Sequence, residues 1–389
     1  MFSNRINGVR KSFIREILKV SGDPNVISFA GGLPNGTLFP MEHLRTATER
    51  VFETGGPEIM QYSNSEGYYP LRKKISERYR KLHGVSVRPE NIIIINGSQQ
   101  GLDILGKVFI NEGDDIIVEE PGYLGAIQAF STYSARFNPV PVNEEGIDLD
   151  ALAHVLEASS SKFIYVVPNF QNPSGITYTN ENREAAAALI REAGIYLIED
   201  NPYGELRFTG EHKKSFMEFL PGQTILLGTI SKTITPSFRL GWIAAPDSAV
   251  EKLLVAKQAA DLHTNYFCQR IVDEFLSDYS LDSHIEKIKT VYGKQKNAMI
   301  KAIRKYFPPE VTYTNPEGGM FIWGTLPEGV SALKLFDRAV KQNVAFVPGD
   351  AFYVDKTDMN TFRLNYSNAD GETIEKGIAI LGRCIREML

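Results

Sequence analysis

The chain has 389 residues, 43% of them apolar and 23% charged, with 32 Gly and 20 Pro. These ordinary globular proportions exclude a collagen-like, disordered or disulfide-stapled chain, and the length predicts two or three domains. Lys and Arg total 42 against 47 Asp and Glu, a net charge of -5, so no basic excess exists to hold a nucleic acid.

The first twenty residues, MFSNRINGVRKSFIREILKV, are basic and amphipathic but lack the apolar stretch of a secretion signal. No apolar run approaches the roughly 18 residues that a membrane helix needs. Cys268 and Cys384 form neither a disulfide framework nor a CxxC metal spacing; inert buried thiols and a cytoplasmic location are expected, with no metal, membrane or nucleic-acid partner. Residues 1–40 are expected to pack near the second domain and the active site.

Strand-like apolar runs follow at residues 91–95, 115–119, 137–142, 163–167, 195–199, 224–228 and 240–244, with helical patterns such as 182–192 between most of them. Near-continuous apolar strands alternating with helices predict an α/β fold, a mostly parallel seven-stranded sheet covered on both faces. A long helical stretch is predicted from about residue 248 and another over 284–307. The texture then changes, with strand-like runs at 320–323, 344–347 and 361–366, a helix at 332–342 and a final helix. The expected division is an N-terminal segment (1–40), a large domain (41–285) and a smaller α+β domain (286–389). No GxGxxG, GxxxxGK[ST], HExxH or GxSxG motif occurs, so nucleotide, zinc-protease and serine-hydrolase readings have no support.

Ligands of an open α/β sheet gather at the carboxyl ends of its strands, so the residues after each run are the informative ones. Asn96-Gly97-Ser98-Gln99-Gln100 opens a helix. That is a phosphate cradle, or a plain N-cap at Ser98. Tyr123 stacks on a flat ring or fills a loop. Asn172-Pro173-Ser174-Gly175 is a good turn in its own right. Asp200 ends a fully apolar strand, where a carboxylate is costly without a partner such as a buried cationic nitrogen, or else marks a solvated strand end. Lys232 follows Thr229 and Ser231, with Arg239 seven residues on. A lysine so placed is a candidate Schiff-base nucleophile, though most lysines are solvated. Arg363, inside an apolar run, suits bidentate carboxylate recognition or a domain-crossing ion pair. Jointly these residues supply what one cofactor needs, pyridoxal 5'-phosphate, with its lysine and its aspartate at the ring nitrogen.

On these motifs the chain resembles the fold-type I pyridoxal-phosphate aminotransferases of class I/II. Residues 28–34 (SFAGGLP), Gln61-Tyr62-Ser63 with Gly67, and residues 260–264 (ADLHT) are similar to the 2-aminoadipate and kynurenine/aminoadipate aminotransferase group. The resemblance implies a pyridoxal-phosphate-dependent transaminase. In it Lys232 carries the cofactor, Asp200 pairs with the ring nitrogen, and Asn172 and Tyr203 bond the ring oxygen. Tyr123 stacks on the ring, and Ser98, Gln99, Ser231 and Arg239 hold the phosphate, with Thr229 a weaker candidate. Tyr62 reaches the phosphate of a second subunit in a homodimer. Arg363, with Asn172 and the Gly31–Gly32 backbone, takes the substrate carboxylate. Arg15, helped by Ser12, pairs with a distal carboxylate or is ordinary surface charge, and His263 lines the pocket or is a core or interface histidine. The expected substrates are amino acids and 2-oxo acids, exchanged by ping-pong kinetics. A carbon–sulfur β-lyase of the same fold, an effector domain of a transcription regulator and an inactive scaffold are the other readings. With thirty residues before Gly31 a winged-helix domain is not expected, and every expected position is filled.

Overall fold

The computed structural model describes residues 2–7 and 23–389. Its first strand, β1 (Ile27–Ser28), precedes the main sheet. That sheet is built from β2 (Ile92–Ile95), β3 (Asp115–Glu120), β4 (Arg136–Asn143), β5 (Gly146–Ile147), β6 (Phe163–Val166), β7 (Tyr196–Asp200), β8 (Thr224–Thr229) and β9 (Gly241–Ala244). Their order is β2-β9-β8-β7-β6-β3-β4-β5. All seven anticipated strands are present, and β5 makes the sheet eight-stranded. This two-residue strand folds back antiparallel on β4 through Gly146 at φ 137°, too short to show as an apolar run. Neighbours from β4 through β3, β6 and β7 to β8 pair in parallel, whereas β9 runs antiparallel to both β8 and β2.

Side-chain alternation along the strands divides the core. Ile93 and Ile95 face Leu102 and Leu105 of the Ser98–Phe109 helix, together with Leu253. Ile92 and Ile94 face Leu71 and Ile75 of the Tyr69–His83 helix, together with Ile271 and Val272. Both faces are thereby covered, which is why these strands read as unbroken apolar runs.

The stretch from residue 248 is two helices, not one: Asp247–Asp261 and Tyr266–Asp278. Leu262 at φ 61° breaks the first, and the Asn265 side chain caps the second by accepting from Cys268 N. The Leu281–Tyr306 helix runs through residue 285, where the sequence places a domain boundary.

Beyond it lies a four-stranded antiparallel sheet, β10-β11-β14-β13. Its strands are β10 (Thr312–Tyr313), β11 (Phe321–Thr325), β13 (Val347–Pro348) and β14 (Thr361–Asn365). The run at 344–347 is split, because β12 (Val344–Ala345) pairs in parallel with β1 while β13 joins β14. The β1–β12 pair is a two-stranded sheet of its own and sets residues 27–29 beside the four-stranded one, where Phe29 O accepts from Asn365 N.

Candidate active site

The strand ends converge on one cleft. At the end of β2 the chain turns through Gly97, at φ 74° and ψ 165°, and the helix begins at Ser98. A Cβ on Gly97 would lie 2.7 Å from Arg239 Nη2, so glycine lets the guanidinium rest against the helix start. Arg239 donates to Pro236 O (3.3 Å) and Asn96 O (3.4 Å). Ser98 is therefore not the N-cap; its hydroxyl is buried and has no partner among the described residues. A helix N-terminus with a free hydroxyl and an arginine beside it is an anion site.

Asp200, at the end of β7, is 2% exposed. Its Oδ2 accepts from Tyr165 OH at 2.8 Å, while Oδ1 has no partner among the described residues. Burial pushes this carboxyl up to about 7, against the hydrogen bond from Tyr165 and the charge of Lys232. A buried carboxylate with a free oxygen suits a cation. Lys232 follows β8 in a turn held by Thr229, whose hydroxyl accepts from Ser231 N at 3.1 Å. Its Nζ donates to Gly32 O at 2.8 Å. Burial, with Arg363 and Arg239 nearby, lowers the Lys232 amine to about 8, toward the range of a nucleophile and base.

Arg363 comes from β14 and is 4% exposed. It donates to Asn172 Oδ1 and Ala30 O, both at 2.7 Å, and lies over the rings of Phe321 (4.3 Å) and Phe352 (5.1 Å). Its Nε is buried without a partner among the described residues, and burial lowers its pKa to about 10. The Asn172 side chain also meets Tyr203, whose phenol is held above its ordinary value chiefly by burial. Tyr123 is likewise pushed up to about 12 by burial, with Asp200 adding to the effect.

The cleft encloses about 400 Å³. It brings together Ser98, Gln99, Tyr123, Asn172, Asp200 and Tyr203 with Thr229, Ser231, Lys232 and Arg239. Arg363 and Gly32 join it through Asn172 and Lys232. Leu33, half of it exposed, stands at the wall. Gln99 also donates to Gly125 O at 3.0 Å. Tyr62 is 79% exposed and stands edge-on to His263 at 5.8 Å; neither lines this cleft. Ser12 and Arg15 lie outside the described residues.

Several supporting groups escape a reading of strand ends alone. Tyr165, in the middle of β6, holds Asp200. Asp261 accepts from Asn96 Nδ2 (2.5 Å), Gln100 Nε2 (2.8 Å) and the fully buried Lys257 (2.5 Å). It thus ties the β2 turn to the end of the Asp247–Asp261 helix. Glu119 and Glu199 are also buried carboxylates on apolar strands, and the cost argument that singles out Asp200 applies equally to them.

Three orphaned buried atoms test the cofactor. Ser98 Oγ suits a phosphate, Asp200 Oδ1 a protonated ring nitrogen and Arg363 Nε a carboxylate, and a lysine sits among them. The fold and this cleft define a pyridoxal-phosphate-dependent enzyme of fold type I. The comparisons sharpen that class. Residues 24–381 match the family model of aminotransferase class I and II. The chain is 42% identical to a 2-aminoadipate transaminase of Thermus thermophilus, covering 100% of this chain and 97% of that one. It is 41% identical to aromatic-amino-acid aminotransferase 1 of Thermococcus litoralis, covering 99% and 94%. The crystal structure of the alpha-aminoadipate aminotransferase LysN from Thermus thermophilus, complexed with N-(5'-phosphopyridoxyl)-L-leucine, superposes with a TM-score of 0.93 at 41% identity, covering 100% and 97%. The chain belongs to the class I and II aminotransferase family and is a pyridoxal-phosphate-dependent aminotransferase.

Proposed function

We propose that the protein moves an amino group from an L-amino acid to a 2-oxo acid such as 2-oxoglutarate, in two half-reactions through this one cleft. The donors are 2-aminoadipate, glutamate and aromatic or branched-chain amino acids. The observation that carries the reading is Arg363: a buried guanidinium with a free Nε, next to Asn172 and a short chain of contacts from Lys232. Such a group takes the α-carboxylate common to every donor and acceptor. The substrates in the relatives' names, 2-aminoadipate and aromatic amino acids, support the donor range.

Pyridoxal phosphate, when bound, supplies an electron sink for the charge released at the substrate Cα. The rest falls to side chains. Ser98, Gln99, Ser231 and Arg239 hold the phosphate, and Tyr123 covers the ring. Asp200 keeps the ring nitrogen protonated, and Asn172 and Tyr203 bond the ring oxygen. Lys232 would hold the cofactor's aldehyde end, and its free amine would take the proton from the substrate Cα and return it, a role that its lowered pKa supports. Arg15, with Ser12, takes a distal carboxylate. The exposure of Tyr62 supports its reaching the phosphate of a second subunit in a homodimer. Two free cysteines support a cytoplasmic location. The division at residues 40 and 285 is part of the same proposal.

The test adds L-2-aminoadipate, L-glutamate, L-leucine or L-phenylalanine singly to the yellow holoenzyme without acceptor. Loss of the yellow absorbance with one equivalent of the matching 2-oxo acid is expected. Release of ammonia and pyruvate from sulfur amino acids instead would overturn the reading, as would no reaction with any donor.

A further inference from the structure

One buried carboxylate outside the reacting set touches both loops that shape the cleft. Glu119, on β3, is 2% exposed. It accepts from Val167 N (3.0 Å), Gln171 Nε2 (3.0 Å) and Tyr178 OH (2.7 Å). Gln171 is fully buried. Its amide nitrogen also donates to Pro121 O at 2.7 Å, and its Oε1 accepts from Ser174 N at 2.8 Å. Pro121 stands two residues before Tyr123, and Ser174 two residues after Asn172. A single side chain therefore grips the loop that carries the ring stacker and the loop that carries the Arg363 partner. Glu119 accepts from the same amide nitrogen that Pro121 O holds, so it reinforces the one orientation that serves both loops.

The donor–acceptor arithmetic leaves little freedom. Val167 N–H and the Gln171 amide can only donate, one to each carboxyl oxygen, so both oxygens must accept, which a carboxylate does and a glutamine in its place cannot. Burial pushes Glu119 up to about 7, while the same three bonds pull it down. If Glu119 instead presented a donor to Gln171, the amide of Gln171 would have to turn over. Its oxygen would then face Pro121 O and its nitrogen Ser174 N, losing both loop contacts.

We infer that Glu119 is a positioning residue which, through Gln171, sets the Tyr123 and Asn172 loops in register with the cofactor and with Arg363. The inference rests on the proposed role of Asn172 at the ring oxygen. Charge on that oxygen would strengthen the hold on a proton at Lys232 Nζ, and a donor amide would weaken it. Misplacing Asn172 therefore raises the pH at which the yellow absorbance of the holoenzyme titrates.

The experiment compares Glu119→Gln, Gln171→Met and Asn172→Ala holoenzymes with the parent. Its readouts are the absorbance titration, the KM and kcat of an amino donor, and thermal unfolding. Glu119→Gln is expected to raise the titration midpoint by about half to one pH unit. It should raise KM about five- to tenfold with a smaller change in kcat, because the Asn172–Arg363 contact loosens. Gln171→Met should do the same, and the double variant should add nothing further. A shift in Asn172→Ala with none in folded Glu119→Gln and Gln171→Met overturns the positioning role while leaving Asn172 in place. No shift in Asn172→Ala overturns the reading of Asn172 itself. A drop in unfolding temperature with an unmoved titration makes Glu119 purely structural and also overturns the inference. If Glu119→Gln does not fold, Gln171→Met decides alone, since it cuts the same link and leaves Glu119 two donors.

Discussion

Gly97→Ala tests the phosphate end of the cleft. At φ 74° and ψ 165° Gly97 occupies backbone space that is essentially glycine-only, and another residue there costs on the order of 1–3 kcal/mol. The new methyl would sit 2.7 Å from Arg239 Nη2 and 3.2 Å from its Cζ. The guanidinium ends a flexible side chain, so it moves off the helix start. Losing one charge-assisted bond to a phosphate removes about 1.5–3 kcal/mol, which is a ~10- to 100-fold loss of cofactor affinity. Gly84→Ala is the control. That residue is also left-handed, at φ 66°, but a Cβ there meets nothing within 4 Å, so it carries strain of about 1–2 kcal/mol alone. The assay is equilibrium titration of apoenzyme with pyridoxal phosphate, with thermal unfolding of the apoenzyme in parallel. Both variants should unfold at lower temperature, and only Gly97→Ala should lose affinity. Unchanged affinity in Gly97→Ala would refute the placement of Arg239 at the phosphate; an equal loss in Gly84→Ala would show that strain anywhere nearby suffices.

Three further outcomes are expected. With Lys232 lowered to about 8, capture of added pyridoxal phosphate by the apoenzyme should quicken about tenfold from pH 7 to 9 and then level off; continued acceleration toward pH 10.5 would mean an ordinary lysine. Asp200, raised to about 7, contributes stability that is full below its ordinary value of 3.8 and is lost as pH rises through 7. Apoenzyme of Asp200→Asn should thus show a smaller fall in melting temperature across that window than the parent, and matching slopes would contradict the buried-acid account. Arg15→Ala should lower kcat/KM for 2-aminoadipate about 10- to 100-fold and leave that for leucine unchanged; equal losses would remove Arg15 from side-chain recognition.

Much of the site was legible because sheet chemistry concentrates it at strand ends. Ser98, Tyr123, Asn172, Asp200 and Lys232 each follow an apolar run, and an apolar run is visible in one dimension. Tyr165 was not legible, because it lies within such a run and looks like any other core aromatic until β6 pairs with β7. Asp261 lies inside what reads as one long helix, and its partners Asn96 and Gln100 lie over 150 residues earlier in the chain. Glu119 had the right local signal, a carboxylate on an apolar strand, but its three donors come from beyond β6 and were not visible together.

The sequence by itself determined the strand runs, their burial on both faces and the kinds of residue at their ends, because local period and side-chain chemistry are properties of neighbours along the chain. The tertiary structure alone decided the strand order, the splitting of residues 344–347 between two sheets, and the meeting of Arg363 with Asn172 across 191 positions. It also decided which buried polar atoms stay unpartnered. Those are matters of which distant segments pack together, and a free valence is defined only once every possible partner has been placed.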